Sequence, residues 1–313
     1  MMKCVLLYNP NSGKLSNRNE IKKIYKILEN YGYETEIIYT EYRGHAQKIV
    51  KKLKDVDLLL CAGGDGTLNE VISGNICRKK PILLGHLPLG SVNDVAHMYG
   101  MSGNTVRNLA LLLNGVQKNI DVCLLNGNPF VYIACLGAFV DISYATPRKL
   151  KEKYGKMAYV MYGIKQLKEK LQRYNIKYTV NGRHYTGEYS FIFITNANHF
   201  GGLSVKNIYD DVKLDDNMFE VFMCDIKNAW DIFKTVHYLK RKKDPSEVKG
   251  FTYFKTNYIK IEFDEVPPSW CVDGDEVPHE DKVFEISINK DNNMLIPSKN
   301  IDSLFKNKKE EDE

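Results

Sequence analysis

The chain has 313 residues, of which 43% are hydrophobic and 27% are charged, and its formal net charge is +5. This length supports two domains with substantial cores. The modest charge and the lack of aromatic-flanked basic motifs argue against a nucleic-acid binder. Seven cysteines without CxxC spacing favour a reducing compartment over a disulfide or zinc framework. With no signal peptide and no apolar run of about 20 residues, we expect a cytoplasmic protein.

The first loop follows an apolar run at residues 5–8 and consists of Asn9, Pro10, Asn11, Ser12, Gly13 and Lys14. An amphipathic segment at residues 21–31 comes next, so the order is strand, polar loop, helix. The loop is not a P-loop, because Lys14 is followed by Leu15 and the upstream glycine is missing. A second strand at residues 36–39 ends at Thr40 and is followed by a helix at residues 45–54.

The most informative loop follows the apolar run of residues 56–62 and reads Gly63, Gly64, Asp65, Gly66, Thr67, Leu68, Asn69 and Glu70. Glycine permits positive φ and close approach of a phosphate, while the start of the following helix offers unpaired N–H groups. A carboxylate repels phosphate, so Asp65 is predicted to hold Mg²⁺ or water. The alternative is an ordinary strand-to-helix loop whose glycines only make the bend.

A third loop follows the apolar run of residues 82–87 and reads Pro88, Leu89, Gly90, Ser91, Val92, Asn93 and Asp94. Three polar loops after three buried-type strands are predicted to converge on one edge of a parallel sheet, where open α/β folds place ligands. A helix at residues 105–113 closes this region at Asn114 and Gly115. The first part of the chain is therefore predicted to be a parallel α/β domain.

Near Asp121 the pattern changes to β-rich runs separated by turns at residues 126–129 and 181–182. Strands are predicted at residues 177–180, 190–195, 218–224, 258–263 and 283–288. An amphipathic helix is predicted at residues 150–171, and a further helix at residues 229–239. The second of these ends in a basic run at residues 240–243, which either complements the helix dipole or contacts anionic lipid headgroups.

The motif GGDGTLNEV, with NPNSGK upstream and PLGSVND downstream, resembles the diacylglycerol kinase catalytic-domain family, which includes bacterial diacylglycerol kinases and sphingosine kinases. Segments 213–219 and 272–275 extend the resemblance over nearly the whole chain. GGDG alone also occurs in NAD kinases and phosphofructokinases, so TLNEV and VDGD decide the match. The resemblance implies an α/β nucleotide-binding domain over residues 1–121, with a C-terminal return from about residue 294, and a mainly antiparallel β-sandwich lipid-substrate domain over residues 122–293.

The resemblance further implies ATP and Mg²⁺ as cofactors. The matched nucleotide-binding positions are Asn9, Pro10, Asn11, Ser12, Gly13, Gly64, Asp65, Gly66, Thr67, Leu68, Asn69 and Glu70. Thr40 and Ser91 would add hydroxyl contacts. Lys14 would neutralise phosphate charge, unless it is a solvated loop lysine. The family uses aspartates matching Asp65, Asp94 and Asp121 in a network of Mg²⁺ and water, although each of the three could instead be a helix cap or turn residue.

The late motif VDGD supplies the predicted general base, Asp275, because a turn glycine can aim a neighbouring carboxylate at an alcohol. The family commonly has DGE here, so Asp275 is one methylene shorter than the matched glutamate. Glu276 is the alternative base if the turn shifts by one residue. Without the upstream motifs, an ordinary Asp-Gly hairpin turn would be the default interpretation.

The segment of residues 213–219 implies, by the same resemblance, a structural Mg²⁺ held by Asp216 and the main-chain oxygens of Lys213 and Met218. Relatives often have glycine where this chain has Asn217, a residue that also tolerates positive φ. Asp215 is interpreted as a surface turn residue.

These features together predict an ATP-dependent lipid kinase, with diacylglycerol as the leading acceptor and phosphatidic acid as the product. The alternatives are transfer to another lipid alcohol, such as a sphingoid base, phosphatidylglycerol or a polyprenol, and a non-catalytic nucleotide-binding regulator. NAD kinase is a further alternative. We expect peripheral association with the inner face of the membrane to reach the lipid substrate, no nucleic-acid partner, and a homodimer as in many relatives.

Overall fold

The computed structural model describes residues 1–12, 18–90, 92–137, 172–200, 203–204, 212–225 and 250–306. The chain divides into two compact units. The first comprises Met1–Val122, Lys213–Asp216 and Asn289–Glu313, and the second Cys123–Val212 and Asn217–Ile288. The sequence-based boundaries differ chiefly at Lys213–Asp216, which had been assigned to the second domain.

The first unit is built on a six-stranded sheet with the order β2-β1-β3-β4-β20-β5. Its strands are β1 (Met2–Tyr8), β2 (Tyr33–Tyr39), β3 (Leu58–Gly63), β4 (Leu83–Pro88), β5 (Val116–Asn119) and β20 (Asn293–Ile296). Strands β1 to β4 and β20 pair in parallel, whereas β5 pairs antiparallel with β20. All six residues of β3 are buried, as expected for a parallel strand covered on both faces.

The described helices of the first unit lie between these strands, except for the last one, which follows β20. They are α1 (Arg18–Asn30), α2 (His45–Lys52), α3 (Asp65–Ile76), α4 (Asp94–Met98), α5 (Thr105–Leu113) and α6 (Ile301–Leu304), the last preceded by a 3₁₀ turn at Ser298–Asn300. Helix α5 has the predicted bounds because the side chain of Asn104 accepts a hydrogen bond from Arg107 N at 2.9 Å and caps the helix. The parallel α/β prediction for this part of the chain is confirmed.

Among its described residues, the second unit contains two six-stranded sheets, with the orders β10-β9-β16-β19-β6-β7 and β15-β14-β11-β8-β17-β18. The strands are β6 (Val122–Leu125), β7 (Asn128–Phe130), β8 (Ile133–Gly137), β9 (Tyr174–Val180), β10 (Arg183–Tyr189), β11 (Phe191–Thr195), β14 (Phe219–Cys224), β15 (Phe251–Thr256), β16 (Ile259–Phe263), β17 (Trp270–Val272), β18 (Asp275–Val277) and β19 (Val283–Asn289). A separate pair is formed by β12 (His199–Phe200) and β13 (Leu203–Ser204).

Apolar side chains from both of these sheets form one core. Trp270 and Ile194 come from one sheet, and Phe284 and Ile261 come from the other. The rings of Trp270 and Phe284 are 5.3 Å apart, edge to face. Since the strands pair antiparallel, for example β11 with both β8 and β14, the predicted antiparallel β-sandwich is confirmed.

The predicted helices at residues 150–171 and 229–239 and the basic run at residues 240–243 lie outside the described residues. Among the residues described, no helix is long and apolar enough to cross a membrane. All seven cysteines are free thiols.

Candidate functional site

The loops after β1, β3 and β4 start at the same edge of the first-unit sheet, as the sequence predicted. Asn9 N donates to Ala62 O at 3.0 Å, and Leu89 N donates to Gly63 O at 2.8 Å. These bonds extend the parallel pairing with β3 one residue beyond β1 and β4, so the loops leave the sheet side by side.

Gly64 and Gly90 bring two of these loops into backbone contact. An ideal Cβ on Gly90 would lie 2.8 Å from Gly64 Cα, and one on Gly64 would lie 3.2 Å from Gly90 Cα. The prediction that the glycines of this motif provide positive φ is wrong, because φ of Gly64 is −87° and neither Gly63 nor Gly66 is among the residues with positive φ. Glycine is required at Gly64 and Gly90 because the two main chains approach closely.

Asp65 ties the glycine-rich loop to the loop after β4. Its Oδ2 accepts a hydrogen bond from Asp94 N at 2.9 Å, and its Oδ1 accepts one from Val95 N at 3.4 Å. Asp65 is 8% exposed and Asp94 is 1% exposed. Asp65 therefore caps α4, whose own N-cap residue, Asn93, makes no side-chain cap. From the sequence, Asp65 is predicted to hold Mg²⁺ or water, and its hydrogen bonds to the start of α4 are not predicted.

Asn9 and Thr40 lie at the same sheet edge as the glycine-rich loop. Asn9 Nδ2 donates to Thr67 Oγ1 at 2.8 Å, and Asn9 Oδ1 accepts from Asn11 N at 3.0 Å. Thr40 N donates to Tyr8 O at 3.0 Å. The side chain of Asn9 therefore shapes the first loop and connects it to α3.

The other residues predicted to bind the nucleotide differ in their exposure and in whether their polar groups are already hydrogen-bonded within the protein. Pro10, Asn11 and Gly66 are exposed, and Ser12 is half-buried. Leu68 is fully buried and its N–H donates to Gly64 O, so it offers neither its side chain nor its amide. Two side chains are used within the protein, since Asn69 Oδ1 accepts from Ser73 Oγ and Glu70 accepts from the backbone of α2. The remaining predicted residues, Gly13, Lys14 and Ser91, lie outside the described part of the chain.

The segment predicted to hold a structural metal is largely occupied in fixing the C-terminal helix. Lys213 Nζ donates to the carbonyl oxygens of Asp302 and Phe305 at 3.1 and 3.2 Å. The carboxylate of Asp215 accepts from Lys306 N at 2.8 Å, so Asp215 is more than a surface turn residue. Leu214 adds backbone bonds to Leu304 and Asp121. These contacts explain why this segment belongs to the first unit.

Asn217 has a φ of 60°, in agreement with the tolerance of positive φ predicted for it. Asp216 is half-buried and Met218 is exposed. Within the residues that the structure describes, no group of three or more His, Cys, Asp or Glu side chains is arranged to hold a metal ion. Asp65, Asp94 and Asp121 therefore do not form a three-carboxylate cation site.

In the second unit, the VDGD motif forms the turn between β17 and β18. Asp273 and Gly274 have φ of 50° and 87°. The buried Asp273 carboxylate accepts three backbone N–H groups, from Val131 at 2.7 Å, Tyr132 at 3.0 Å and Ile133 at 3.1 Å. Sequence reasoning did not single out Asp273, although an aspartate at a turn position with positive φ often hydrogen-bonds backbone amides.

The two carboxylates proposed as base, Asp275 and Glu276, lie on β18, where every residue is exposed. Asp275 is paired in register with Val272, and Glu276 with Cys271. Both carboxylates are therefore exposed to solvent, and a general base must be exposed before it can reach a substrate.

His86 lies on β4, directly paired with Cys61 of β3. Burial lowers the pKa of His86 to about 4, although its hydrogen bond to Gly63 O opposes this shift. The ring is therefore neutral near pH 7, and Nε2, 3.2 Å from Gly63 O, is the protonated nitrogen. Burial also raises the pKa of Cys61, and the carboxylates of Glu70 and Asp65 raise it further.

Comparison with known proteins identifies the family. The sequence profile of the diacylglycerol kinase catalytic domain matches residues 3–125, which include all three loops. A diacylglycerol kinase of Staphylococcus aureus (strain MRSA252) is 31% identical over 229 residues, 72% of each chain. The chain belongs to the diacylglycerol kinase catalytic-domain family. This membership confirms the resemblance recognised in the sequence.

Two further members of this family are similar over most of the chain. A diacylglycerol kinase of Bacillus subtilis (strain 168) is 29% identical over 268 residues, 85% of this chain and 87% of that one. The crystal structure of a diacylglycerol kinase from Bacillus anthracis str. Sterne superposes with a TM-score of 0.71 at 21% identity, covering 94% and 96% of the two chains. The fold is therefore shared along nearly the whole chain.

Proposed function

We propose that this protein is an ATP-dependent lipid kinase that transfers the γ-phosphate of ATP to the hydroxyl of diacylglycerol, giving phosphatidic acid. The observation that carries the proposal is the joined set of loops at one edge of the first-unit sheet, with the backbones of Gly64 and Gly90 in contact. Parallel sheets of open α/β folds bind ligands at this edge. Diacylglycerol is proposed as the acceptor because the relatives from Bacillus subtilis and Staphylococcus aureus are diacylglycerol kinases.

In the proposed mechanism, the first-unit loops bind the nucleotide. The N–H groups at the start of α3 precede the first helical hydrogen bond, which Leu68 N donates to Gly64 O, and so point towards a ligand at the helix start. Asn9 and Thr67 hold the first loop against α3, and the exposed residues Asn11 and Gly66 are proposed to lie beside the phosphates or ribose. Fixing the nucleotide in place is most of what phosphoryl transfer requires of a protein. Lys14 is proposed to neutralise phosphate charge.

We propose that Mg²⁺ would be held here by Asp65 and Asp94, whose positions are linked because the backbone N–H of Asp94 donates to the Asp65 carboxylate at 2.9 Å. This ion is commonly held by one or two carboxylates together with substrate phosphates and water, so a third carboxylate is not required. When bound, it would neutralise charge on the phosphate oxygens. The role of Asp121 at this site and the structural Mg²⁺ held by Asp216, Lys213 and Met218 are retained as proposals.

We assign the proton acceptor to Asp275, which is exposed, with Glu276 as the alternative. Asp273 is a second candidate because it lies two residues away in the same turn. Its carboxylate accepts three backbone N–H groups, which stabilise the charged form and make it a weaker base. Asp275→Asn should therefore lower kcat more than ATP affinity. If Asp273→Asn stops transfer while ATP affinity is unchanged and the chain stays folded at the assay temperature, Asp273 is the base and the assignment to Asp275 is wrong.

The lipid acceptor requires contact with a membrane surface, so we propose peripheral association with the inner face of the membrane. The homodimer is likewise retained as a proposal, and no nucleic-acid partner is proposed. Transfer to another lipid alcohol and nucleotide binding without catalysis are the competing functions.

The deciding experiment measures transfer of radiolabelled γ-phosphate from ATP to a panel of lipids in mixed micelles with Mg²⁺, with Asp65→Ala as the control. Labelled phosphatidic acid that is lost in the variant is the expected result. If the label appears on another lipid alcohol, the protein is still a lipid kinase, but diacylglycerol is not its acceptor. Tight ATP binding with no labelled product from any lipid favours the non-catalytic regulator.

A further inference from the structure

Helix α3 and the residues after it contact α2 at three points spaced by four residues, namely Glu70, Gly74 and Arg78. Glu70 and Gly74 lie on one face of α3, because residues four apart are neighbours on a helix surface, and Arg78 follows two residues after the helix ends at Ile76. The three positions contact the start, the middle and the end of α2.

At the start of α2, Glu70 supplies a cap that the sequence of α2 lacks. Its Oε1 accepts from Gly44 N at 2.6 Å, and its Oε2 accepts from Ala46 N at 3.1 Å. The N-cap residue Gly44 has no side chain, and the first turn of α2 contains no acidic residue. Glu70 therefore satisfies two backbone donors and places a negative charge at the positive end of the helix dipole.

In the middle and at the end of α2, the contacts are of a different kind. An ideal Cβ on Gly74 would lie 2.8 Å from Gln47 O and 2.8 Å from Val50 Cβ, so the two helices cross in close contact. Arg78 Nη1 donates to Val50 O at 2.6 Å and to Leu53 O at 2.8 Å, which caps the C-terminal end. Glu70 and Arg78 thus make matched pairs of charge-assisted bonds at opposite ends of one helix.

The end held by Glu70 is the end near the candidate nucleotide site. Helix α2 begins a few residues after Thr40, which is bonded to the end of β1. The connecting residues include Gly44, with a φ of 81°. Glycine adds conformational freedom here, so the position of this connection depends on the bonds that hold it. Arg78 acts at the far end of α2, away from this connection.

We propose that Glu70 is a positioning residue that fixes the segment of residues 40–46 for nucleotide binding. Its carboxylate also occupies the anion-binding start of α2, which leaves the start of α3 to the phosphates of the nucleotide. The inference rests on the proposed function, since it assumes that ATP binds at this sheet edge. It replaces the predicted direct contact between Glu70 and the nucleotide by an indirect one.

The test compares the wild-type chain with Glu70→Gln and Arg78→Gln, measuring ATP affinity by isothermal titration calorimetry with Mg²⁺ and melting temperature by circular dichroism. Each variant removes one charge from one end of α2. We expect both melting temperatures to fall. Glu70→Gln should raise the Kd for ATP about tenfold, which corresponds to about 1.4 kcal/mol, whereas Arg78→Gln should leave it within about twofold. Hydrogen exchange at Gly44 and Ala46 should become faster only in Glu70→Gln.

The possible outcomes separate this inference from the proposed function. A wild-type chain that binds no ATP refutes both. If the wild type binds ATP and the two variants change its Kd equally, Glu70 is only a structural residue and the inference is wrong. A Glu70→Gln chain with a lower kcat and an unchanged Kd also overturns it. Should Glu70→Gln not fold, Glu70→Asp keeps the charge but shortens the side chain, and the same rise in Kd is expected.

Discussion

Replacing Asp273 by alanine tests the network that holds the VDGD turn. The carboxylate accepts hydrogen bonds of 2.7, 3.0 and 3.1 Å from the N–H groups of Val131, Tyr132 and Ile133. Alanine would leave three buried donors without this acceptor, and each such donor costs about 1–3 kcal/mol. Even at the lower value, the three donors together would reduce the free energy of unfolding by about 3 kcal/mol. This is a large part of the total, which is roughly 5–15 kcal/mol for a typical domain.

The measurement is the urea midpoint of the full-length chain, followed by far-UV circular dichroism. Asp273→Asn should lose less, about 1–3 kcal/mol, because one oxygen remains and asparagine tolerates the φ of 50° at this position. Asp275→Asn is the matched control on the exposed strand of the same hairpin and should stay within about 0.5 kcal/mol of the wild type. An unchanged urea midpoint for Asp273→Ala would show that these three hydrogen bonds do not stabilise the fold.

Three further substitutions follow from local geometry. Gly90→Ala should lower the free energy of unfolding by about 1–3 kcal/mol and the melting temperature by several degrees, because the new Cβ would lie 2.8 Å from Gly64 Cα. Gly103→Ala is the control and should melt like the wild type, because a Cβ at Gly103 meets nothing within 4 Å. Burial lowers the pKa of His86 from 6.5 to about 4. Between these two pH values the unfolded chain binds a proton at His86 that the folded chain does not bind. The free energy of unfolding therefore decreases as the pH is lowered from 6.5 to 4, by up to about 3 kcal/mol. His86→Leu should lack this part of the acid destabilisation in urea titrations at about pH 7 and about pH 5, and an equal loss in both proteins would contradict the assignment. Asn217→Val should lose about 1–2 kcal/mol, since a β-branched residue is disfavoured at a φ of 60°, and Asn217→Gly should not; equal melting temperatures for the two would refute this account.

Local patterns in the sequence were sufficient for the elements with strong apolar runs and clear ends. Strands β3 and β4 were predicted to within two residues, and α5 was predicted with its observed bounds. The order of strands and helices determined the α/β class of the first unit, and the combined motifs determined the family. These features were readable because periodicity, caps and turn residues act within a few positions of the chain.

The elements that sequence reasoning missed depend on distant partners. Six of the seven residues in β10 are not buried, so this strand has no alternating apolar pattern, and it exists through pairing with β9. The three-residue strands β17 and β18 are too short to carry a signal of their own. Strand β5 pairs antiparallel with β20, a neighbour far along the chain. Such strands are defined by their pairing rather than by local propensity.

The sequence by itself determined the family, the two fold classes and the carboxylates worth testing, but only the tertiary structure decided what those carboxylates contact. Glu70 accepts from a backbone group 26 residues away, Asp65 from one 29 residues away and Asp273 from one 142 residues away. From the sequence alone, each of these three carboxylates could have been a ligand-binding residue or a turn residue. A hydrogen bond between distant residues leaves no local pattern, because the acceptor's side-chain type is visible in the sequence while the position of its backbone donor is set only by folding.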